Sequence, residues 1–369
     1  MSGSPPSQIH LSEITHIAVA LPDHPASQSQ IRDVFGAAFP LEGRRLAAAL
    51  TFFDAAAIDT RYGVLPLSEL IRPRTLSETT NLYAASVRAL AEVAARRVLV
   101  ETDVDPLNID LVISVSCTGF MLPSMDAYLL DALGLRRDVR RLPLTELGCV
   151  GGAAALARAH DFLLGHPAGR VLIVAVELPS LNFQAQDLSV DNLVSSALFG
   201  DGAAAVLMTG DAAIRAGHPH LPFAPVEVRA THCHTIPESA DALGFVLRDD
   251  GFHSILARKI PDLLRAAARD LFDGLAKQGQ ATRRDLQAFV LHPGGKRILM
   301  ALQESLDLTT ADVAPSWDVL RRFGNQSSAS VLFVLNEWMT AHRPPSGTLG
   351  ALAAFGPGLT AESVLLKWT

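Results

Sequence analysis

Short apolar runs alternate along this chain with Ala- and Leu-rich stretches of helical spacing. Residues 14–21, 111–116, 171–177 and 203–208 are continuous enough in Val, Ile, Leu and Ala to read as buried strands. Between them, residues 76–100 and Gly151–Gly165 carry helix formers at helical spacing. After Pro225 the same vocabulary returns. Residues 226–232 and 288–291 are strand-like, 261–278 and 327–341 helix-like, and 348–355 and 363–368 close the chain as strands. Such alternation predicts stacked α/β layers.

A weak internal repeat sharpens that picture. Leu144-Thr-Glu-Leu-Gly-Cys149-Val-Gly-Gly-Ala-Ala-Ala and Arg321-Arg-Phe-Gly-Asn325-Gln-Ser-Ser-Ala-Ser-Val share one form. Each sets a polar residue of reactive type after a glycine, at the start of a helix whose first turn is rich in small residues. Residues 112–117 and 289–292 likewise bring a strand to a polar residue, followed shortly by glycine and a helical pattern. The expected organisation is a flexible tail over residues 1–13, then two pattern-related halves over 14–225 and 226–369.

Composition narrows the function classes. The 369 residues are 49% hydrophobic, enough for a sizeable core and against disorder. The charge balance, 31 − 38 = −7, gives no general attraction for polyphosphate, so nucleic acid is not an expected partner. The Ser/Pro-rich start has neither the basic nor the apolar segment of a targeting signal, and no apolar run approaches a membrane span. A soluble, cytoplasmic chain without membrane insertion is expected. Three cysteines, Cys117, Cys149 and Cys233, fit a reducing compartment in which one thiol acts as a nucleophile. His232 and His234 fall on one face of a strand and Cys233 on the other, so no metal site is expected there.

Three residues stand out chemically. Cys149 sits among Gly148, Gly151 and Gly152 at a predicted helix start, where the macrodipole and free N–H groups favour thiolate. An isolated cysteine is more often a small core residue; the Gly-Cys-x-Gly-Gly setting favours the nucleophile. His292 ends a strand before Pro-Gly-Gly, placed to accept a thiol proton or donate to an oxyanion, although a lone histidine is commonly structural. Asn325 can donate to an enolate oxygen without offering a proton-transfer site, although Gly-Asn also reads as a turn or cap. Together they suit acyl transfer to the thiol, followed by carbon–carbon bond formation with a decarboxylated carbanion. A thiol protease uses the same three residue types.

Five ordered motifs decide between these readings. Gly148-Cys149-Val-Gly-Gly, Leu198-Phe-Gly-Asp-Gly-Ala-Ala-Ala205, His292-Pro-Gly-Gly, Gly324-Asn-Gln-Ser-Ser-Ala and Phe355-Gly-Pro-Gly-Leu-Thr360 occur in the order of type III polyketide synthases, the chalcone synthase-like family. The resemblance runs over nearly the whole chain, and nothing else in it is similar to a papain-type protease. It implies a thiolase-type five-layered αβαβα sandwich of two duplicated halves, working as a homodimer. It implies no permanently bound cofactor; malonyl-CoA and a starter acyl-CoA are substrates. Cys149 would hold the growing chain as a thioester, while His292 and Asn325 would drive malonyl-CoA decarboxylation.

The resemblance also implies a pocket. Phe199 matches the aromatic gatekeeper, and Gly356, Pro357 and Gly358 match the loop around cyclising intermediates. Cys117 would face substrate, and Leu122, just before Pro123, would project across the dimer. Pro179, Asn182, Ser195 and Ser254 would line the cavity, where the plant enzymes often have Thr, Thr, Gly and Phe. Asp201-Gly202 reads as a turn. The plant enzymes' basic cluster for CoA has no counterpart in register here. Arg44, Arg45 and Arg61 lie nearby in sequence, and Lys296 and Arg297 after His-Pro-Gly-Gly are substitutes. The segment from Leu181 to Val194 resembles alkylpyrone and alkylresorcinol synthases, which start from fatty acyl-CoA, whereas Cys117 resembles tetrahydroxynaphthalene synthases, which start from malonyl-CoA. The acyl starter is favoured slightly. A carrier-protein-dependent initiating ketoacyl synthase is a third reading, and a catalytically dead scaffold is disfavoured by the intact Cys149, His292 and Asn325.

Overall fold

A computed structural model describes residues 11–215 and 221–369. Among the described residues, nine strands form one sheet. Their order is Leu286–Leu291, Leu349–Gly356, Thr360–Trp368, Val226–Thr235, Ser12–Ala20, Gly202–Gly210, Arg170–Glu177, Leu111–Val115, Arg140–Leu144. It consists of two similar sets meeting at a short seam, where Ser12 pairs with Val228 and Ile14 with Val226. Outward from the seam each set repeats one pattern: two antiparallel pairings, then a parallel one. The first set carries an extra parallel edge strand, Arg140–Leu144, whose alternating exposed positions and Pro143 hid it from the apolar pattern.

The strands are apolar on both faces because both faces are covered. Ile113 and Ile173 join Val290 and Leu352 in a central core around helices Gly151–Gly165 and Ser330–Thr340. Their neighbours Val112 and Leu172 face outward to helices Leu76–Glu101 and Met125–Leu133. Phe289 and Ala351 face the opposite way, to helices Ile260–Gln278 and Lys296–Leu306. The result is five layers, the thiolase-type αβαβα sandwich of two duplicated halves. The helix beginning at Leu76 is fixed by a capping box between Thr75 and Glu78.

Boundaries differ from expectation mainly by a residue or two. Ser12 already pairs in the sheet, so only residues up to 10 of the expected tail lie outside the described residues. Helices Gln28–Ala38, Gly43–Asp54 and Val190–Leu198 and the hairpin Leu243–Arg248/Gly251–Leu256 are additions to the sequence reading. Asp201-Gly202 is not a turn. Asp201 is fully buried, and its carboxylate accepts from the Val64 and Ser180 backbone N–H groups at 2.9 Å each and from the Ser180 hydroxyl. A buried carboxylate needs such partners, and they tie three segments together.

The central helices meet at their first turns. A Cβ added to Gly152 would lie 2.2 Å from the Ser328 carbonyl oxygen, so the two chains approach to a distance only glycine allows. Replacing Gly152 with Ala should destabilise the fold by about 1–3 kcal/mol through overpacking. Denaturant unfolding of Gly152→Ala measures this; an unchanged midpoint would show that the helix starts are not in hard contact.

Candidate active site

Each of the three reactive residues follows directly from the chain's architecture. Cys149 lies in the one-turn helix Gly148–Val150 that runs straight into Gly151–Gly165. His292 follows strand Leu286–Leu291, and its N–H continues the ladder to the Ala353 carbonyl at 2.9 Å. Asn325 precedes the turn Ser327–Ala329 and helix Ser330–Thr340, in the position that Cys149 holds before its own helix. Its N–H donates to the Leu198 carbonyl at 3.0 Å, and Gly295, after His292-Pro-Gly, packs against the same Leu198. Thus the His292 turn, the Asn325 turn and the end of helix Val190–Leu198 converge on one residue.

Ser327 links this group to the thiol. Its hydroxyl lies 3.4 Å from the Cys149 Sγ and 3.3 Å from the Cys117 Sγ, while its N–H donates to the Asn325 Oδ1 at 2.8 Å. Holding Oδ1 fixes the orientation of the Asn325 amide, whose presence favours the Cys149 thiolate. Ser327 adopts φ 48, an uncommon region for a residue with a side chain. Glu177, fully buried at the end of its strand, accepts from the Cys117 N–H at 3.1 Å, the Thr118 hydroxyl at 2.8 Å and the Ser328 hydroxyl. Neither Ser327 nor Glu177 was singled out from sequence; a lone acid closing the apolar run of residues 171–177 was the available signal.

Burial dominates the electrostatics. It pushes the Cys149 thiol up to about 12, against hydrogen bonds from Ser327, the backbone and Asn325 that favour thiolate. The helix start was expected to favour thiolate; burial opposes that and is the larger effect. Burial likewise lowers His292 to about 3, and neither ring nitrogen has a hydrogen-bond partner among the described residues. Forming either charge here is costly, because burial disfavours both the thiolate and the imidazolium. Cys117 is raised by burial and then by Glu177, so it stays a neutral thiol.

One pocket collects Cys149, Pro179, Ser195, Phe199, Ser254 and Pro357. Ser195, Phe199, Pro179 and Ser254 also line an adjoining pocket with Asn182, Ile31, Phe35 and Phe183. Phe245, unpredicted, is in both. His292 and Asn325 are each 2% exposed and not among the residues lining either pocket. Cys117 is half-buried and turned toward Glu177 and Ser327, outside the lining of the Cys149 pocket. Leu122, 85% exposed and joined to Pro123 by a cis peptide, stands apart beside exposed Phe120. Gly356 is buried against Leu147 and Val150, and Gly358 faces Thr360. Arg44, Arg45, Lys296 and Arg297 are exposed, the last two on the first turn of their helix. Arg61, noted as a nearby basic residue, is 5% exposed and its guanidinium is engaged inside the protein.

The chain matches the model for chalcone and stilbene synthases over both domains, N-terminal at residues 12–212 and C-terminal at 227–369. It belongs to the chalcone and stilbene synthase family. A 1,3,6,8-tetrahydroxynaphthalene synthase of Streptomyces peucetius subsp. caesius is 38% identical over 97% of this chain and 93% of that protein. An alpha-pyrone synthesis polyketide synthase-like protein of Mycobacterium tuberculosis is 27% identical over 98% and 92%. The solved tetrahydroxynaphthalene synthase of Streptomyces coelicolor superposes with a TM-score of 0.89 at 29% identity, covering 97% and 99% of the two chains. The protein is a type III polyketide synthase, a condensing acyltransferase. No helix among the described residues is long and apolar enough to cross a membrane.

Two measurements probe this site. If His292 accepts the thiol proton, iodoacetamide alkylation of Cys149 in His292→Ala should shift to higher pH by about one unit or more. An identical pH profile in the variant would remove His292 from that role. The second concerns the hairpin over the pocket. His253, 6% exposed, lies between Asp187 and Asp250 at 2.9 Å each. Burial alone would lower its pKa, but the two carboxylates outweigh burial and the opposing Arg248, and raise it. A raised histidine stabilises fully below the ordinary value of 6.5 and loses that contribution as pH rises through the folded value. The Tm gap between wild type and His253→Gln should therefore be widest below about pH 6.5 and narrow as pH rises above it; a gap independent of pH would contradict stabilisation by a protonated His253 between Asp187 and Asp250.

Proposed function

We propose that this enzyme loads an acyl-CoA starter onto Cys149 and extends it with malonyl-CoA, then cyclises the product to a pyrone or phenol. The observation that carries the reading is the Cys149–Ser327–Asn325 cluster, opening on a pocket that shares Phe199 with a second one, where Ile31, Phe35 and Phe183 stand among polar Asn182, Asn192 and Ser195. In the first step His292 takes the Cys149 proton, the sulfur attacks the starter thioester and CoA leaves as the thiol. Malonyl-CoA then loses CO2, and the enolate oxygen receives hydrogen bonds from the Asn325 amide and neutral His292. The carbanion attacks the acyl-Cys149 carbonyl; the C–S bond breaks and the lengthened chain leaves as a CoA ester to reload. Burial favours this: a water-poor site strengthens each hydrogen bond to the enolate.

Residues 14–225 supply the thiol and 226–369 the histidine and asparagine. Exposed Arg44, Arg45, Lys296 and Arg297 are assigned to the CoA phosphates, and Gly356, Pro357 and Gly358 to the wall around the cyclising chain. Exposed Phe120 and Leu122 support a homodimer. We place the enzyme in the cytoplasm. A second reading, priming by malonyl-CoA itself, draws on the relatives named as tetrahydroxynaphthalene synthases and on Cys117 beside the nucleophile.

Product analysis by mass spectrometry decides. With acyl-CoAs of graded length plus malonyl-CoA, acyl-derived pyrones or resorcinols are expected; tetrahydroxynaphthalene from malonyl-CoA alone, with acyl-CoAs ignored, would replace the acyl reading. Cys149→Ala should lose product by at least about a thousandfold while still decarboxylating malonyl-CoA, because His292 and Asn325 remain. Near-normal product from that variant would refute covalent loading.

A further inference from the structure

Helix Val190–Leu198 ends directly at the pocket wall, with Phe199 as its C-terminal cap. The last carbonyls of a helix have no partners within it, and this end is buried, so something must satisfy them. Two residues from other elements do so. Arg61, on strand Thr60–Gly63, donates from Nη1 to the carbonyls of Ser196 at 2.8 Å and Phe199 at 2.6 Å. Gln28 donates to the Ala197 carbonyl at 2.8 Å and accepts from Arg61 Nε at 3.0 Å. A cation here also offsets the negative end of the helix dipole.

The same side chain touches the Asn325 segment. Phe199 and Asn325 form a parallel bridge, with the Gly200 N–H donating to the Asn325 carbonyl at 3.0 Å. The stem of Arg61 lies against this bridge: a Cβ on Gly324 would fall 2.9 Å from its Cγ, and one on Gly200 3.3 Å from its Cβ. Arg61 is 5% exposed and Asp201 provides the nearby opposite charge. An ammonium in its place would keep the charge but lose the planar fork that reaches Gln28 and two carbonyls together.

We propose that Arg61 is a positioning residue for condensation: it locks Phe199 and Asn325 into one unit and thereby sets which starters pass the gate. This rests on the assignment of Phe199 and Asn325 under the proposed function. It predicts that Arg61→Lys changes starter selection through Phe199, beyond any loss of stability. The test compares wild type, Arg61→Lys, Phe199→Ala and the double variant with acyl-CoAs of graded length plus malonyl-CoA, alongside Tm. Expected is a condensation kcat lower by about tenfold or more, a malonyl-CoA KM within about twofold of wild type, and a shifted starter-length profile. In the Phe199→Ala background the Arg61→Lys substitution should move the profile no further. A lower Tm with an unmoved profile, or the same shift recurring in the Phe199→Ala background, would overturn the inference. Should Arg61→Lys fail to fold, Gln28→Ala removes the Nε partner and one carbonyl contact and is judged by the same criteria. A wild type inactive with every substrate overturns the underlying function as well; an active wild type with unmoved variants overturns only the role of Arg61.

Discussion

The site depends on one close contact, that of two helix starts in the middle of the molecule. Gly152 and the Ser328 carbonyl touch with no room for a side chain between them. The Cys149 thiol precedes one of these helices and the Asn325 amide precedes the other, so this approach sets the distance between the two groups. Bulk at Gly152 would push the two sequence halves apart at the point where their chemistry meets. The helices are themselves packed against the two strand sets of a sheet apolar on both faces, so little freedom remains to absorb such a shift.

Several polar groups in this core stand at strand and helix ends and are held by partners from distant segments. Glu177 holds Cys117, Thr118 and Ser328; Asp201 holds Val64 and Ser180; Arg61 and Gln28 hold the end of the helix at Phe199. Each buried group costs desolvation and recovers it through several partners drawn from distant segments. The rigid frame leaves His292 as the contrast: a buried imidazole with no partner for either nitrogen among the described residues. An imidazole with both nitrogens unengaged is free to donate to or accept from a bound substrate.

Much of this was legible in the amino-acid sequence. The strands buried on both faces announced themselves as apolar runs, and the parallel between the Cys149 and Asn325 segments foretold two helix starts of equal kind. Elements whose signal is local and weak were not legible. Strand Arg140–Leu144 is exposed on alternate positions and contains proline; the hairpin at Leu243–Leu256 is half-buried and covers a pocket instead of filling a core. Long-range hydrogen bonds left no pattern either. Nothing in the neighbours of Arg61 reveals that it is buried or that its partners lie 135 and 138 residues away. The effect of burial on Cys149 was missed for the same reason: a helix start is visible in sequence, whereas the depth at which it is buried is not.

The central claim is that the two converging helix starts make Cys149 the single point of covalent attachment. Its most direct test is to incubate the enzyme with an acyl-CoA and no malonyl-CoA, digest it at low pH and locate the acyl mass by peptide mass spectrometry. The account predicts one acyl group per chain, on the peptide containing Cys149, with Cys117 and Cys233 unmodified. Acylation of Cys117 instead, or acyl groups spread over all three cysteines, would contradict it.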